Sequence, residues 1–277
     1  MKTLKIALIV LSSLLFVTLT GCKSEGCTDP FAVNYEMDAK EGGECTYPDV
    51  TMMISQKVGD ADLVIGDTYS INGYDVQFTQ SQFYVSSVMY MDEEGNGYAA
   101  EKDGEPVYLL VKPDQKMYNL GTARAGHTHM VRFDVGVDAA TNSQTDIDFA
   151  QWAGDHPLAA QTPSMAWSWA AGYIFIRIEG KIDIDKDGDF DGDDKDLIYH
   201  IGKNDNQVSI SLMSHTDFDE ASETLGVEFD LANLFNNLDL TNEDNHVSHT
   251  GSSQEQKNLV TTIKDNVAGA FSIHKHE

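Results

Sequence analysis

Polar and apolar residues alternate with period two along most of this chain. The runs are short, rich in β-branched and aromatic residues, and separated by Gly, Asn and Asp turns such as "INGYD" and "EEGNG". They comprise "VTMMISQKV" from Val50, "YDVQFTQ" from Tyr74, "QFYVSSVMYM" from Gln82, "EPVYLLVK" from Glu105, "HMVRFDVGVD" from His129, "GYIFIRIEGKIDI" from Gly172, "DLIYHIG" from Asp196, "NQVSISLM" from Asn206 and "GVEFDL" from Gly226. Each predicts a strand. In "YIFIRIEG", Ile174, Ile176 and Ile178 share one face while Arg177 and Glu179 make the other polar, the pattern of a half-buried antiparallel strand. Near the end the period changes: Leu259, Ile263, Val267 and Phe271 step by four along one stripe, with "TGSS" as an N-cap, which predicts a helix. The expected fold class is all-β: an antiparallel β-sandwich, Ig-like or jelly-roll-like, with a C-terminal helix.

The first residues follow another logic. Lys2 and Lys5 precede the apolar run "IALIVLSSLLFV", which ends in "LTGC". A transmembrane anchor would need about 20 apolar residues and a stop-transfer flank. The pattern therefore reads as a lipoprotein signal, residues 1–21, with Cys22 the lipidated first residue of an exported chain held at the outer membrane, on its periplasmic or cell-surface face. The two remaining cysteines, Cys27 and Cys45, are then expected to pair in an oxidising compartment. Their segment, "GCTDPFAVNYEMDAKEGGEC", resembles a short Cys-bounded module of exported Bacteroidota lipoproteins. Residues 22–49 are expected to form a tether and a disulfide-stapled knob, the staple contributing on the order of 3 kcal/mol. Residues 50–277 are expected to form the main domain.

Composition narrows the function classes. A net charge of −27 repels nucleic acid and anionic lipid, so no nucleic-acid partner is expected. With 41% hydrophobic and 9% aromatic residues the chain has the means to pack a core. Acidic surfaces favour cations, and one stretch is specific about it. "DIDKDGDFDGDD" places Asp183, Asp185 and Asp187 at alternate positions before Gly188, Phe190 eighth and Asp194 twelfth. Hard oxygen ligands with a glycine at the turn suit Ca²⁺, and Asp189 and Asp191 add carboxylates. The twelfth position is Asp where a longer Glu would chelate more surely, and the flanks read as strands. A calcium-bound hairpin loop is the expectation, against a solvated acidic loop with no ion.

The nine histidines include three close pairs: His127 with His129, His246 with His249, and His274 with His276. Imidazoles two apart on a strand face one side and suit copper or zinc. His156, His200 and His215 stand singly. Two of the three tryptophans, Trp167 and Trp169, follow Met165 in "PSMAWSWAAGYIFIRIEG". In an extended segment these three side chains form one soft, aromatic wall, able either to plug the core or to cap a Cu(I) site.

The ordered set "QFYVSSVMYM", "VRFDVGVDAATN", "HPLA", "MAWSWAAGYIFIRIEG", "YHIG" and "DNVAGAFSIHKH" resembles the MbnP-like copper-binding family from about Val50 to the C-terminus. The resemblance implies an exported β-rich protein that binds copper. It also implies, for some members, a di-haem peroxidase-like partner that oxidises a tryptophan to a kynurenine able to join the ligand set. Trp167 and Trp169 match the family's Met-x-Trp-x-Trp, His200 its His-Ile-Gly, and His274 and His276 its His-rich end. Gln56 stands where related chains often carry histidine. The expected copper candidates are His127, His129, Met165, Trp167, Trp169, His200, His274 and His276. Asp138 and Asn142 are expected to shape a turn. A copper-capturing lipoprotein competes with a calcium-stabilised adhesion or scaffold module; no Gly-x-Ser-x-Gly elbow or zinc-protease helix points to an enzyme.

Overall fold

The computed structural model describes residues 24–143, 151–167, 172–249 and 253–274. Cys22, Trp169 and His276 lie outside the described residues. The principal strands are β1 (Asp49–Val58), β2 (Tyr74–Met91), β3 (Met117–Thr122), β4 (Gly126–Val135), β5 (Ile174–Asp183), β6 (Lys195–Gly202), β7 (Val208–Phe218), β8 (Ser222–Asp230) and β9 (Val247–His249). Helix α1 (Gln254–Val267) and the short β10 (Phe271–Ile273) follow.

Two sheets face each other. The larger runs β7-β4-β2-β5-β6-β9, and the smaller β10-β8-β1-β3 with short pieces at its edge. Phe83 of β2 meets Phe229 of β8 across the gap with ring centroids 4.6 Å apart, and Phe133 of β4 meets Phe271 of β10 at 5.3 Å. The β-sandwich expected from alternation is present. Two pairings depart from the antiparallel expectation, since β1 lies parallel to β8 and β6 parallel to β9. Both join strands far apart in sequence, where no hairpin dictates direction.

Local details follow from local chemistry. The runs from Tyr74 and Gln82 fuse into a single 18-residue strand, β2. It bends without breaking where its pairing with β5 slips between Glu179 and Gly180. A Cβ on Gly180 would sit 2.4 Å from the Gln77 carbonyl, so only glycine allows this approach. The run from Glu105 splits into Glu105–Pro106 and Leu109–Val111. Helix α1 is capped by Ser253, whose hydroxyl accepts from Gln256 N at 3.2 Å. Leu259, Val260, Ile263 and Val267 are its buried residues. Phe271, the fourth member of the expected stripe, lies beyond the helix: a 3₁₀ turn at Ala268–Ala270 hands it to β10, where it fills the core as a strand residue. Gln56 is buried and accepts from the Ser81 hydroxyl across the sandwich.

Cys27 and Cys45 are disulfide-bonded. The knob they staple rests on the sandwich through Ala125 N, which donates to Phe31 O at 2.8 Å, and through Arg124, whose guanidinium lies 4.6 Å from the Phe31 ring centre. With the cysteines 18 positions apart in sequence, the cross-link removes on the order of 3 kcal/mol of chain entropy from the open form. Replacing both by serine is expected to speed tryptic cleavage at exposed Lys40 by at least about tenfold while leaving the main melting transition in place. A digestion time course with thermal melts checks this.

Candidate metal centre

The outer face of the larger sheet carries an imidazole pair. Along β6, Leu197, Tyr199 and Ile201 point into the core, which turns His200 outward. On β5 the same alternation buries Ile176 and Ile178 and turns out Arg177 and Glu179. Arg177 stands directly across from His200 in the β5–β6 register. In the parallel β6–β9 ladder His200 is paired with His249. The two Nδ1 atoms lie 3.2 Å apart and the ring centres 5.0 Å apart. Metal–imidazole bonds of about 2.0 Å at a tetrahedral angle set their nitrogens roughly 3.3 Å apart. The pair therefore has the spacing of two ligands sharing one ion.

The back of His200 is fixed as well. Its Nε2 lies 2.6 Å from Glu179 Oε1, and the same oxygen accepts from Arg177 Nη2 at 2.7 Å. With Nε2–H donating to the carboxylate, the Nδ1 lone pair is left facing His249. A carboxylate behind a histidine fixes its tautomer and raises its basicity as a ligand.

An indole lies beside His200. Segment Met165–Trp167 runs beside the start of β5: Ile174 N donates to Met165 O at 2.8 Å and Trp167 N to Gly172 O at 3.3 Å. Arg177 Nη1 donates to Ser164 O at 2.7 Å, tying this segment to the ion-pair strand. Trp167 is half-buried, with its ring centre 6.4 Å from that of His200. Gly202, two residues after His200, makes room for it. A Cβ there would stand 3.0 Å from Trp167 Nε1 and 2.5 Å from the Tyr173 carbonyl. Gly172 has φ +105° and packs on Asn142, whose Oδ1 accepts from Tyr173 N at 2.7 Å. Asp138 caps the helical turn Ala139–Asn142 by accepting from Thr141 N. Both residues shape the turn.

Other expected residues lie elsewhere. Met165 is 1% exposed and belongs to the core. His274 sits on the opposite sheet, its Nδ1 3.2 Å from Glu228 Oε1. His127 and His129 gather with His215 at the far edge of the larger sheet. His246, three residues from His249, is buried with Nε2 2.8 Å from Leu240 O, so that pair divides between packing and site. The third tryptophan, Trp152, stacks on His156 at 4.3 Å. Sequence reasoning named His249 without choosing it and missed Glu179 as the support of His200. The only signal for Glu179 is its position two residues after Arg177 on the polar face of β5.

Burial lowers the pKa of His200 below its ordinary 6.5; the Glu179 bond pulls the other way and is outweighed. The folded chain thus binds this proton less readily than the unfolded chain. The resulting stability is fully present above pH 6.5 and is lost as pH falls through that value toward the folded pKa. Thermal melts from pH 7.5 to 5 are expected to show Tm declining, with a shallower decline in His200→Ala.

The acidic loop joins β5 to β6. Asp183, Asp185 and Asp194 offer carboxylate oxygens within 4.8 Å of one another, as do Asp189, Asp191 and Asp194; Asp187 belongs to neither group. Asp183 accepts from Lys186 N at 2.6 Å and from Gly188 N at 3.0 Å, which folds the loop inward. Desolvation by its neighbours first, then the charge of Asp187 and the bond and charge of Asp183, raise the pKa of the exposed Asp185; the charge of Asp187 is the largest cause of the rise at Asp189.

Fold and site together define an all-β sandwich with an imidazole pair on one sheet face and an indole beside one of its members. The chain belongs to the MbnP family, whose sequence model matches residues 47–255. Among solved structures it is similar to MbnP from Methylosinus trichosporium, at 17% identity and a TM-score of 0.50, covering 69% of this chain and 78% of that one. No curated protein matches the chain. Among the described residues, no helix is long and apolar enough to cross a membrane.

Proposed function

We propose that this chain is an exported copper-binding lipoprotein, anchored through Cys22 at the outer membrane, that captures or buffers copper without catalysing a reaction. The carrying observation is the 3.2 Å approach of His200 Nδ1 to His249 Nδ1, with Glu179 behind His200. Two imidazoles, with an indole beside one of them, make a nitrogen ligand set suited to Cu(I). Family membership and the disulfide, which belongs to an oxidising compartment, support the same reading. Trp167, beside His200, is proposed as a tryptophan that a di-haem partner oxidises. Conversion to kynurenine replaces one carbon by one oxygen, and peptide mass spectrometry of the mature protein from its native cell tests it. Copper analysis after dialysis, on wild type and on His200→Ala with His249→Ala, tests the centre. Equal copper in both proteins would remove the reading.

The loop from Asp183 to Asp194 is proposed to hold Ca²⁺ as a clip on the β5–β6 hairpin. The convergence of Asp183, Asp185 and Asp194 supports it, and an ion would relieve the repulsion from Asp187 that leads the rise at Asp189. Calcium at 100 times its Kd stabilises by about 2.7 kcal/mol, on the order of 5–10 °C in Tm for a domain of this size. Melts with calcium and with chelator check it; coincident curves would count against the ion.

A further inference from the structure

We propose a second metal site, at the opposite edge of the larger sheet, where His127, His129 and His215 stand beside a row of methionines and take up Cu(I). His127 and His129 lie on β4 and His215 on β7. One nitrogen from each lies within 4.8 Å of the other two. The rings of His129 and His215 meet edge-on at 4.6 Å, and those of His127 and His215 lie 6.0 Å apart. Ligands on one ion need nitrogens about 3.3 Å apart, a difference that side-chain rotation of the exposed His127 and His215 closes.

The backbone is shaped around this cluster. The β4–β7 ladder slips between Thr128 and Met130, so that His129 faces Ser214 and His215. His215 has φ +45°, left-handed for a residue with a side chain. Bulges of this kind re-aim a side chain at the cost of ladder regularity, and strained backbone of this kind gathers at functional positions. Asp217 Oδ1 lies 2.7 Å from His127 Nδ1, the carboxylate support that fixes a ligand's tautomer and leaves Nε2 free to bind. His129 Nδ1 is buried and has no hydrogen-bond partner among the described residues.

The neighbouring ladder decides which ion. Met130 is in register with Met213 on one side and with Met91 on the other, and Met89 lies two residues before Met91. All four are at least partly exposed, Met213 at 47%, where apolar residues would ordinarily be buried or replaced by polar ones. Imidazoles alone would accept Zn²⁺ or Cu²⁺; thioethers beside them favour Cu(I). Strands β2 and β5 separate this cluster from His200, so at least three strand spacings, about 14 Å, divide the two centres.

The test uses the mature protein titrated with Cu(I) against a competing chelator, with Zn²⁺ in parallel. Wild type is expected to bind two equivalents of Cu(I). His127→Gln with His215→Asn, which keeps a residue tolerant of the left-handed backbone, is expected to bind one. Met130→Leu with Met213→Leu is expected to weaken Cu(I) at this site by about tenfold and to leave Zn²⁺ unchanged. Cu(I) uptake unaffected by the histidine pair would overturn the site, and Zn²⁺ preferred over Cu(I) would overturn the assigned ion. A single equivalent that survives His200→Ala and disappears with His215→Asn would keep this proposal and remove the first centre.

Discussion

Replacing His200 by alanine is expected to weaken copper binding at the His200–His249 centre by more than about 100-fold, since loss of a ligand exceeds the 10- to 100-fold cost of losing a ligand's support. Glu179→Gln should fall within that smaller range, because the amide still bonds Nε2 but no longer carries the charge that strengthens the imidazole. The order His200→Ala above Glu179→Gln above wild type, in dissociation constants from chelator competition, is the signature of a ligand and its support. His274→Ala, on the opposite sheet against Glu228, should leave the constant unchanged. If Glu179→Gln bound as tightly as wild type, the carboxylate would have no part in the site.

The second large effect concerns the core that sets the strands in register. Phe83 is fully buried, 4.6 Å from Phe229 and 5.7 Å from Phe271, and so joins both sheets. Phe83→Ala is expected to cost about 3–5 kcal/mol through lost transfer energy and a residual cavity, lowering Tm by on the order of 10 °C. Phe83 is also the register partner of Ile176, adjacent to Arg177. Below its reduced Tm the variant should nonetheless bind copper in the wild-type ratio, since the cavity lies inside and the imidazoles outside. A Tm unchanged within about a degree would mean that the two sheets do not depend on this contact.

Much of the fold was legible because strand alternation is local. Ile174, Ile176 and Ile178 declared the inner face of β5, and Arg177 and Glu179 its outer face, before any partner was known. The stripe on α1 was legible for three of its four residues. Phe271 failed because the same spacing is satisfied by a strand residue one 3₁₀ turn later, and only the place left beside β8 distinguishes the two. Half of the proposed ligand pair was legible through the His-Ile-Gly motif. Its partner was not: His249 lies 49 residues beyond His200, and a parallel ladder leaves no spacing rule in the chain. For the same reason His127 and His129 were visible as a pair, while His215, 86 residues after His129, was not visible as their third member.

Alternation, turn residues and the cysteine count by themselves determined that this protein is a β-rich sandwich with a terminal helix and a stapled knob, for those properties depend on neighbours within a few residues. Tertiary structure alone decided which histidines meet. It placed His200 against His249 and beside Trp167, sent His274 to the opposite sheet and buried His246. The physical reason is that an outward-facing side chain acquires its partners from strand order and register, and these are set by which apolar faces close the core together.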